Sequence, residues 1–340
     1  MALVNHELPI NALQTYLQKI GLATEAVQIE LLVGGLSNPT YKISIGQQRY
    51  VLRKKPPGKL LPSAHAIDRE YRVMQALANS TVPVPEMINY CEDETIIGTP
   101  FYLMRFLDGR VLTDQSLPGM TRQERRQIYC EMNRVLTEIH ALDFVASGLE
   151  TFGKPGNYFA RQIGRWSKQV QQATIPIPSA LSKLIEWLPN QIPEGDETTL
   201  VHGDFRLDNL IFDSKEPRII GVLDWELSTL GHPVADFAYQ CMAWRIPLSL
   251  WRGIGGLNLQ ELGIPSEKEY VEMYEERTGR KIAGHWNFYL AYNFFRIAAI
   301  LHGVAQRAVD GNTNATDAKE NGEKAGLLAE IGLVCAGIKN

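Results

Sequence analysis

Val201-His202-Gly203-Asp204-Phe205-Arg206-Leu207-Asp208-Asn209-Leu210-Ile211-Phe212-Asp213, followed by Ile219-Ile220-Gly221-Val222-Leu223-Asp224-Trp225, decides the reading of this 340-residue chain. Leu210 to Phe212 and Ile219 to Leu223 are short apolar runs, and Asp213-Ser214 with Pro217 make a turn between them, so a hairpin is expected. Pairing these runs would bring Asn209 and Asp224 together at the open end, because both stand just outside the paired residues. An amide oxygen beside a carboxylate is a hard-oxygen pair suited to Mg²⁺, which keeps several waters and takes further ligands from phosphates. Asp204 lies five positions before Asn209, so one turn of loop aims it at the same place, free to accept a proton.

Asp-x4-Asn followed by an Asp after a strand pair is the spacing used in phosphoryl transfer by kinases. There one Asp serves the attacking hydroxyl, while the Asn and the second Asp hold metal. Asp and Asn are also common turn formers, so His202-Gly203-Asp204 alone would decide little. The joint spacing of Asp204, Asn209 and Asp224 favours phosphotransfer.

Working outward, the first third carries what a nucleotide needs. Gly34-Gly35-Leu36-Ser37-Asn38 sits between two strand-like runs, where missing side chains let backbone N–H groups approach phosphates. Tyr50-Val51-Leu52-Arg53 matches the kinase Val-Ala-Ile-Lys strand with arginine in place of lysine. Strand alternation puts Val51 and Arg53 on one face, toward adenine and phosphate respectively, and points Lys54 the other way. Arginine suits phosphate because its planar fork donates two hydrogen bonds. A helix expected from about residue 65 to 79 carries Glu70 as the partner that holds Arg53; a solvated helix-face carboxylate is the plainer alternative.

Lys plus Arg total 34 and Asp plus Glu 38, a net charge of −4. That balance gives no reason to expect nucleic acid or an anionic membrane as partner. The four cysteines form no CxxC pair, so neither a disulfide framework nor a structural zinc site is expected. The first residues lack a basic start followed by an apolar core, and the apolar stretch from Trp286 to Val304 is interrupted by Asn293, Arg296 and His302. It reads as a buried helix, and a cytoplasmic location is expected. After Asp108-Gly109 the character turns helical, with capping boxes at Thr121 to Glu124 and Ser266 to Glu269. The boundary near 104 to 109 therefore separates a strand-rich lobe from a helix-rich one and suggests a cleft.

Together these motifs resemble those of the aminoglycoside phosphotransferase and choline kinase family, over nearly the whole chain. Tyr50 to Leu61, with Asp68-Arg69-Glu70-Tyr71, is most similar to the branch related to the kinase domain fused to some acyl-CoA dehydrogenases. The resemblance implies an α+β, protein kinase-like two-lobed fold. Its N-terminal antiparallel sheet with one helix would span 1–104, a hinge 105–109, and a mainly helical lobe 110–340. It implies ATP and Mg²⁺ as cofactors, with Met104, Arg105 and Leu107 at the hinge and backbone groups of Arg105 and Leu107 offered to adenine. No Ala-Pro-Glu segment follows Asp224, which favours a small-molecule hydroxyl acceptor over a protein. A hydroxylated acyl-CoA or hydroxy acid is the favoured acceptor, ahead of aminoglycosides.

In the same resemblance, Gly231-His232-Pro233-Val234-Ala235-Asp236 places Asp236 to hold the catalytic loop, with His202 as a buried scaffold. Arg206, Asp208, Trp225, Glu226 and Arg296 are candidates for the acceptor side, although an aromatic stripe such as Tyr289 to Phe295 is more often plain core. His140 reads as a satisfied helix-end histidine. Two alternatives stay open: a nucleotide-binding pseudokinase, and a metal-dependent hydrolase using His202, Asp204, His232 and Asp236. The sequence carries no signal for oligomeric state.

Overall fold

The structure is a computed structural model that describes residues 8–32, 38–56, 66–311 and 315–338. Its contacts divide the chain into two compact units: Met1–Arg110 with Ser147–Leu149 and Leu210–Leu227, and Val111–Ala146 with Glu150–Asn209 and Ser228–Asn340.

The first unit is built on a five-stranded antiparallel sheet of β1 (Val27–Leu31), β2 (Thr40–Ile45), β3 (Gln48–Lys54), β4 (Met87–Cys91) and β5 (Phe101–Arg105), in the order β1-β2-β3-β5-β4. Gly46, at φ +55°, makes the tight turn between β2 and β3, a conformation that glycine adopts without steric cost. Alternation sorts the strand residues onto two faces. Tyr41, Ile43, Ile45, Tyr50, Leu52, Phe101 and Leu103 form one apolar face, covered by Leu13 and Leu17 of α1 (Ile10–Lys19) and Ile97 of α3 (Glu94–Ile97). Leu13 and Leu17 are fully buried, each contributing about 1.5–3 kcal/mol. The opposite face carries Arg53 and Tyr102 and meets α2 (Ile67–Leu77), whose Glu70, Met74 and Leu77 are buried at helical spacing. The sheet thus has α1 and α3 beside the one helix expected.

β8 (Leu210–Asp213) and β9 (Ile219–Val222) form the expected hairpin, joined by β6 (Gly109–Val111) in the order β6-β8-β9. Gly109 is needed there, because a Cβ would stand 2.3 Å from the Phe212 carbonyl oxygen.

The second unit is helical. Its long elements are α4 (Arg122–Ala141), α5 (Tyr158–Gln171), α6 (Ser179–Trp187), α7 (Pro233–Cys241), α9 (Glu267–Thr278), α10 (Trp286–Val309) and α11 (Ala315–Ala336), with a short α-helical turn, α8 (Leu259–Leu262), and several 3-10 turns between them. Both capping boxes form, at Thr121 with Glu124 and at Ser266 with Glu269. β7 (Thr199–Val201) and β10 (Thr229–Gly231) pair antiparallel on either side of the 202–209 loop and the hairpin in sequence. α10 is the core helix, packed by α5, α6, α7 and α11. Ala283–Val309 is long and apolar enough to cross a membrane by length and composition, yet 78% of its most apolar window is buried inside the protein.

Candidate active site

In the first unit, the sheet, α2 and the end of β9 deliver three charged side chains to one point. Arg53 Nε lies 3.0 Å from Glu70 Oε2, and Arg53 Nη2 donates to Glu70 Oε1 at 3.0 Å and to Asp224 Oδ1 at 2.9 Å. The Tyr102 hydroxyl donates to Glu70 Oε2 at 2.7 Å. Burial pushes the Glu70 carboxyl above its usual range, and the Arg53 charge and the Tyr102 hydrogen bond offset only part of that rise. Burial lowers the Arg53 pKa, but the Glu70 and Asp224 charges outweigh it and hold the guanidinium protonated. Lys54 lies on the other face of β3, buried, with Nζ donating to the Ile97 carbonyl at 3.3 Å. Of the two neighbouring cations, Arg53 alone shares the face of Asp224.

Asp224 itself has φ +65°, an uncommon backbone state for a side-chain-bearing residue. The turn is pinned by Trp225, fully buried, whose indole N–H donates to the Val222 carbonyl at 3.0 Å. The expectation that Trp225 faces an acceptor is therefore corrected: the ring is packed away and its N–H is spent on the turn. Glu70, Asp224 and Glu226 present carboxylate oxygens within 4.8 Å of one another, the one such metal-competent group among the described residues. This all-oxygen donor set fits a hard divalent cation such as Mg²⁺.

In the second unit, the loop after β7 is built around Asp236 on α7. Asp236 Oδ2 accepts from the His202 N–H at 2.7 Å, and Oδ1 from the Gly203 N–H at 2.8 Å. His140 Nε2 lies 3.3 Å from Asp236 Oδ2, while its Nδ1 is 2.8 Å from the Tyr274 hydroxyl. Burial opposes the Asp236 charge, but these hydrogen bonds and His140 hold its carboxyl below the usual range. His202 is fully buried and its Nδ1 accepts from the Asp204 N–H at 3.2 Å. Arg296 donates to the Gly203 carbonyl at 3.1 Å and stands over the Tyr239 ring. Arg296 thus gives one of its five N–H groups to the loop backbone.

Asp204 emerges from this scaffold partly exposed and well oriented. Its Oδ1 accepts from the Tyr239 hydroxyl, and its Oδ2 accepts from Asn209 Nδ2 at 3.0 Å and lies 3.1 Å from Arg206 Nε. Asn209 Nδ2 also donates to the Asp204 carbonyl at 2.9 Å, so its amide oxygen is turned away from Asp204. Arg206 Nε is 3.3 Å from Asp208 Oδ1, and Asp208 Oδ2 is 2.9 Å from Arg252 Nη1. A carboxylate has about four lone-pair positions, and the Tyr239 and Asn209 hydrogen bonds occupy two of them, which leaves room for an incoming hydroxyl.

Val51 and Met104 are buried partners across β3 and β5. The Arg105 N–H donates to the Glu86 carbonyl at 2.8 Å, so any bond this residue makes to a base is narrowed to its carbonyl. Leu107 lies against Gly221, where a Cβ would stand 2.3 Å from Leu107 Cδ1. Asn38 is fully buried and neither of its amide atoms has a hydrogen-bond partner among the described residues. Gly34, Gly35 and Ser37 lie outside the described residues.

The set proposed for a hydrolase does not assemble. His202 Nδ1 and both Asp236 oxygens are spent on backbone N–H groups, and His232 Nδ1 caps α7 by accepting from the Val234 N–H at 3.2 Å. Sequence reasoning missed Tyr239 and underread His140. A tyrosine and a histidine at core spacing on helices carry no local sign that they support a loop.

A model of the phosphotransferase enzyme family matches residues 28–279. Acyl-CoA dehydrogenase family member 10 of Mus musculus is 47% identical over 328 residues, covering 95% of this chain and 31% of that protein. Family member 11 of Homo sapiens is 40% identical over 338 residues, covering 97% and 43%. The chain therefore spans less than half the length of these curated relatives. Among solved structures, a protein of Ralstonia eutropha JMP134, provisionally named an aminoglycoside phosphotransferase, is 49% identical with a TM-score of 0.89, covering 97% of this chain and 99% of that one. A thermostable variant of aminoglycoside phosphotransferase APH(4)-Ia, in ternary complex with AMP-PNP and hygromycin B, shares the kinase-like fold at a TM-score of 0.62 and 20% identity, covering 94% and 98%.

Proposed function

Because the chain belongs to the phosphotransferase enzyme family and is a small-molecule kinase, we propose that it transfers the γ-phosphoryl group of ATP to the hydroxyl of a small acceptor with Mg²⁺ as cofactor. The observation that carries this reading is the bridge from Arg53 to both Glu70 and Asp224. A strand cation tied to a helix carboxylate and to the acid after the second strand pair is the constellation that kinases use to hold nucleotide phosphates and metal.

In this reading Arg53 binds ATP phosphate, and Asn209 with Asp224 would hold the Mg²⁺. Glu226, whose carboxylate lies near that of Asp224, is a further donor. When bound, the ion neutralises charge on the β- and γ-phosphate oxygens. The Tyr239 and Asn209 hydrogen bonds, with the Arg206 charge beside them, orient the Asp204 carboxylate, and an open lone pair accepts the acceptor O–H. The acceptor oxygen forms a bond to the γ-phosphorus while the bond from phosphorus to the β–γ bridging oxygen breaks. ADP leaves, and the hydroxyl proton passes to Asp204. Orientation supplies most of the acceleration, since well-placed groups reach effective molarities of ~10⁵–10⁸ M.

A hydroxyacyl-CoA or related hydroxy acid is the acceptor we favour, in keeping with relatives named as acyl-CoA dehydrogenase family members. The test is ADP release from MgATP over a panel of hydroxyacyl-CoA thioesters, hydroxy acids and aminoglycosides. Phosphorylated product from the first two classes supports the proposal. Transfer to aminoglycosides alone contradicts the acceptor, and ATP turnover by none of them with no nucleotide binding contradicts the whole.

A further inference from the structure

Beside the catalytic loop, the second unit contains a cavity of about 40 Å³. Met132, Leu207, Met242 and Ile246, each at most 3% exposed, give it apolar walls, and Arg206 and Tyr239, both bound to Asp204, form the side next to that residue. At roughly 10–15 Å³ for each water-sized group, the space admits about three or four heavy atoms.

Gln240 lines the same cavity. It is 6% exposed, and among the described residues neither its amide nitrogen nor its amide oxygen has a hydrogen-bond partner of proper geometry. The Tyr270 hydroxyl stands beside it and can serve at most one of the four hydrogen-bonding positions of an amide. A buried amide left in that state is costly unless something else enters to meet it. The charged groups at the rim are already matched: Asp204 and Asp208 hold Arg206, and Asp208 also holds Arg252. An ammonium group entering here would meet apolar walls and carboxylates that already face guanidinium groups.

We propose that this cavity is the subsite that selects the acceptor. It takes an uncharged group of about three or four heavy atoms whose polar atom, a carbonyl or amide, bonds to Gln240, and it rejects ammonium-bearing compounds. The inference deepens the proposed reaction and rests on it only in placing the acceptor hydroxyl at Asp204.

Three matched probes test it: 4-hydroxy-2-butanone, 1-butanol, which lacks the carbonyl, and 3-amino-1-butanol, which puts an amine in its place. Saturation-transfer NMR on the full chain reads binding without turnover. The ketone is expected to bind about tenfold more tightly than butanol, the value of a hydrogen bond that fills a buried unpaired site. The amino alcohol is expected to give no signal. Gln240→Met, close in shape and apolar, should erase the preference for ketone over butanol. Gln240→Asn, with its amide one methylene short, should weaken that preference, and unfolding curves confirm that both variants are folded. The proposal is overturned if the wild type shows no ketone preference, if Gln240→Met keeps it, or if the amino alcohol binds best. Ketone binding through Gln240 without phosphorylation of any acceptor supports the subsite and sinks the phosphotransfer reading, so the two fail separately.

Discussion

Arg53 and Asp224 stand 171 positions apart in the chain and meet at 2.9 Å. The same guanidinium holds Glu70, whose side chain is 1% exposed, so one cation serves a buried acid and the residue assigned to metal. Arg53→Met would strand Glu70 without its counter-charge. Removing one partner of a buried pair costs about 3–5 kcal/mol, and that loss should be seen in urea unfolding together with a raised KM for ATP. Arg53→Lys keeps the charge but lacks the fork that reaches both acids, so its effects should be smaller in both measurements.

Lys54→Met separates the two faces of β3. Because Lys54 donates to the Ile97 carbonyl on the side away from Asp224, the variant should leave the KM for ATP within about twofold of wild type, a change below 0.5 kcal/mol in binding. A rise as large as that of Arg53→Met would show that Lys54 binds phosphate.

Asp204→Asn keeps the shape of the side chain but cannot take a proton. The expected result is a fall in kcat of about 10²–10⁴, the usual worth of a general base, with ATP affinity within a few-fold of wild type. Asp224→Asn should act differently, abolishing the Mg²⁺ dependence of nucleotide binding, and chelation of the ion should do the same to the wild type. Calorimetric titration of ATP with and without Mg²⁺ checks both.

The clamp on the loop predicts a pH effect. Burial holds the His232 imidazole down at about 4 against an ordinary value of 6.5, and burial lowers His140 in the same direction. Between those values the unfolded chain binds protons that the native protein does not, so stability falls as pH drops from 6.5 toward 4. His232 alone accounts for about 3 kcal/mol of that loss. Asp236, held below the usual carboxylate range, adds a further loss at still lower pH. Urea melts across this range should show the slope, and His232→Asn, which retains an N-cap for α7, should flatten it.

Asp236→Ala removes the acceptor for two buried N–H groups, those of His202 and Gly203. A loss of about 3 kcal/mol is expected, with kcat falling more than ATP affinity, since the loop and not the nucleotide side is released.

The sequence was most legible where chemistry and local geometry coincide. The hairpin of β8 and β9 announced itself through two apolar runs and a turn, and Arg53 through strand alternation. Both capping boxes could be read because a cap is satisfied within four residues. α1 was not read, although Ile10, Leu13 and Leu17 lie at helical spacing, because Pro9 at its start supplies no side-chain cap. The resemblance puts Trp225 and Arg296 on the acceptor side, whereas packing buries the Trp225 ring fully and gives Arg296 a hydrogen bond to the Gly203 carbonyl. Tyr239 reaches Asp204 from 35 positions away on a helix whose pattern is plain core. Such contacts are made by packing, and no local spacing encodes them.

A crystal structure of this chain grown with Mg²⁺ and a non-hydrolysable ATP analogue is the most direct test. The expected result is a cation bound by the Asn209 amide oxygen and the Asp224 carboxylate, the analogue's phosphates on Arg53, and Asp204 facing the γ-phosphate with no metal on it. A cation on Asp204 in place of Asp224, or a nucleotide bound away from Arg53, would contradict the account.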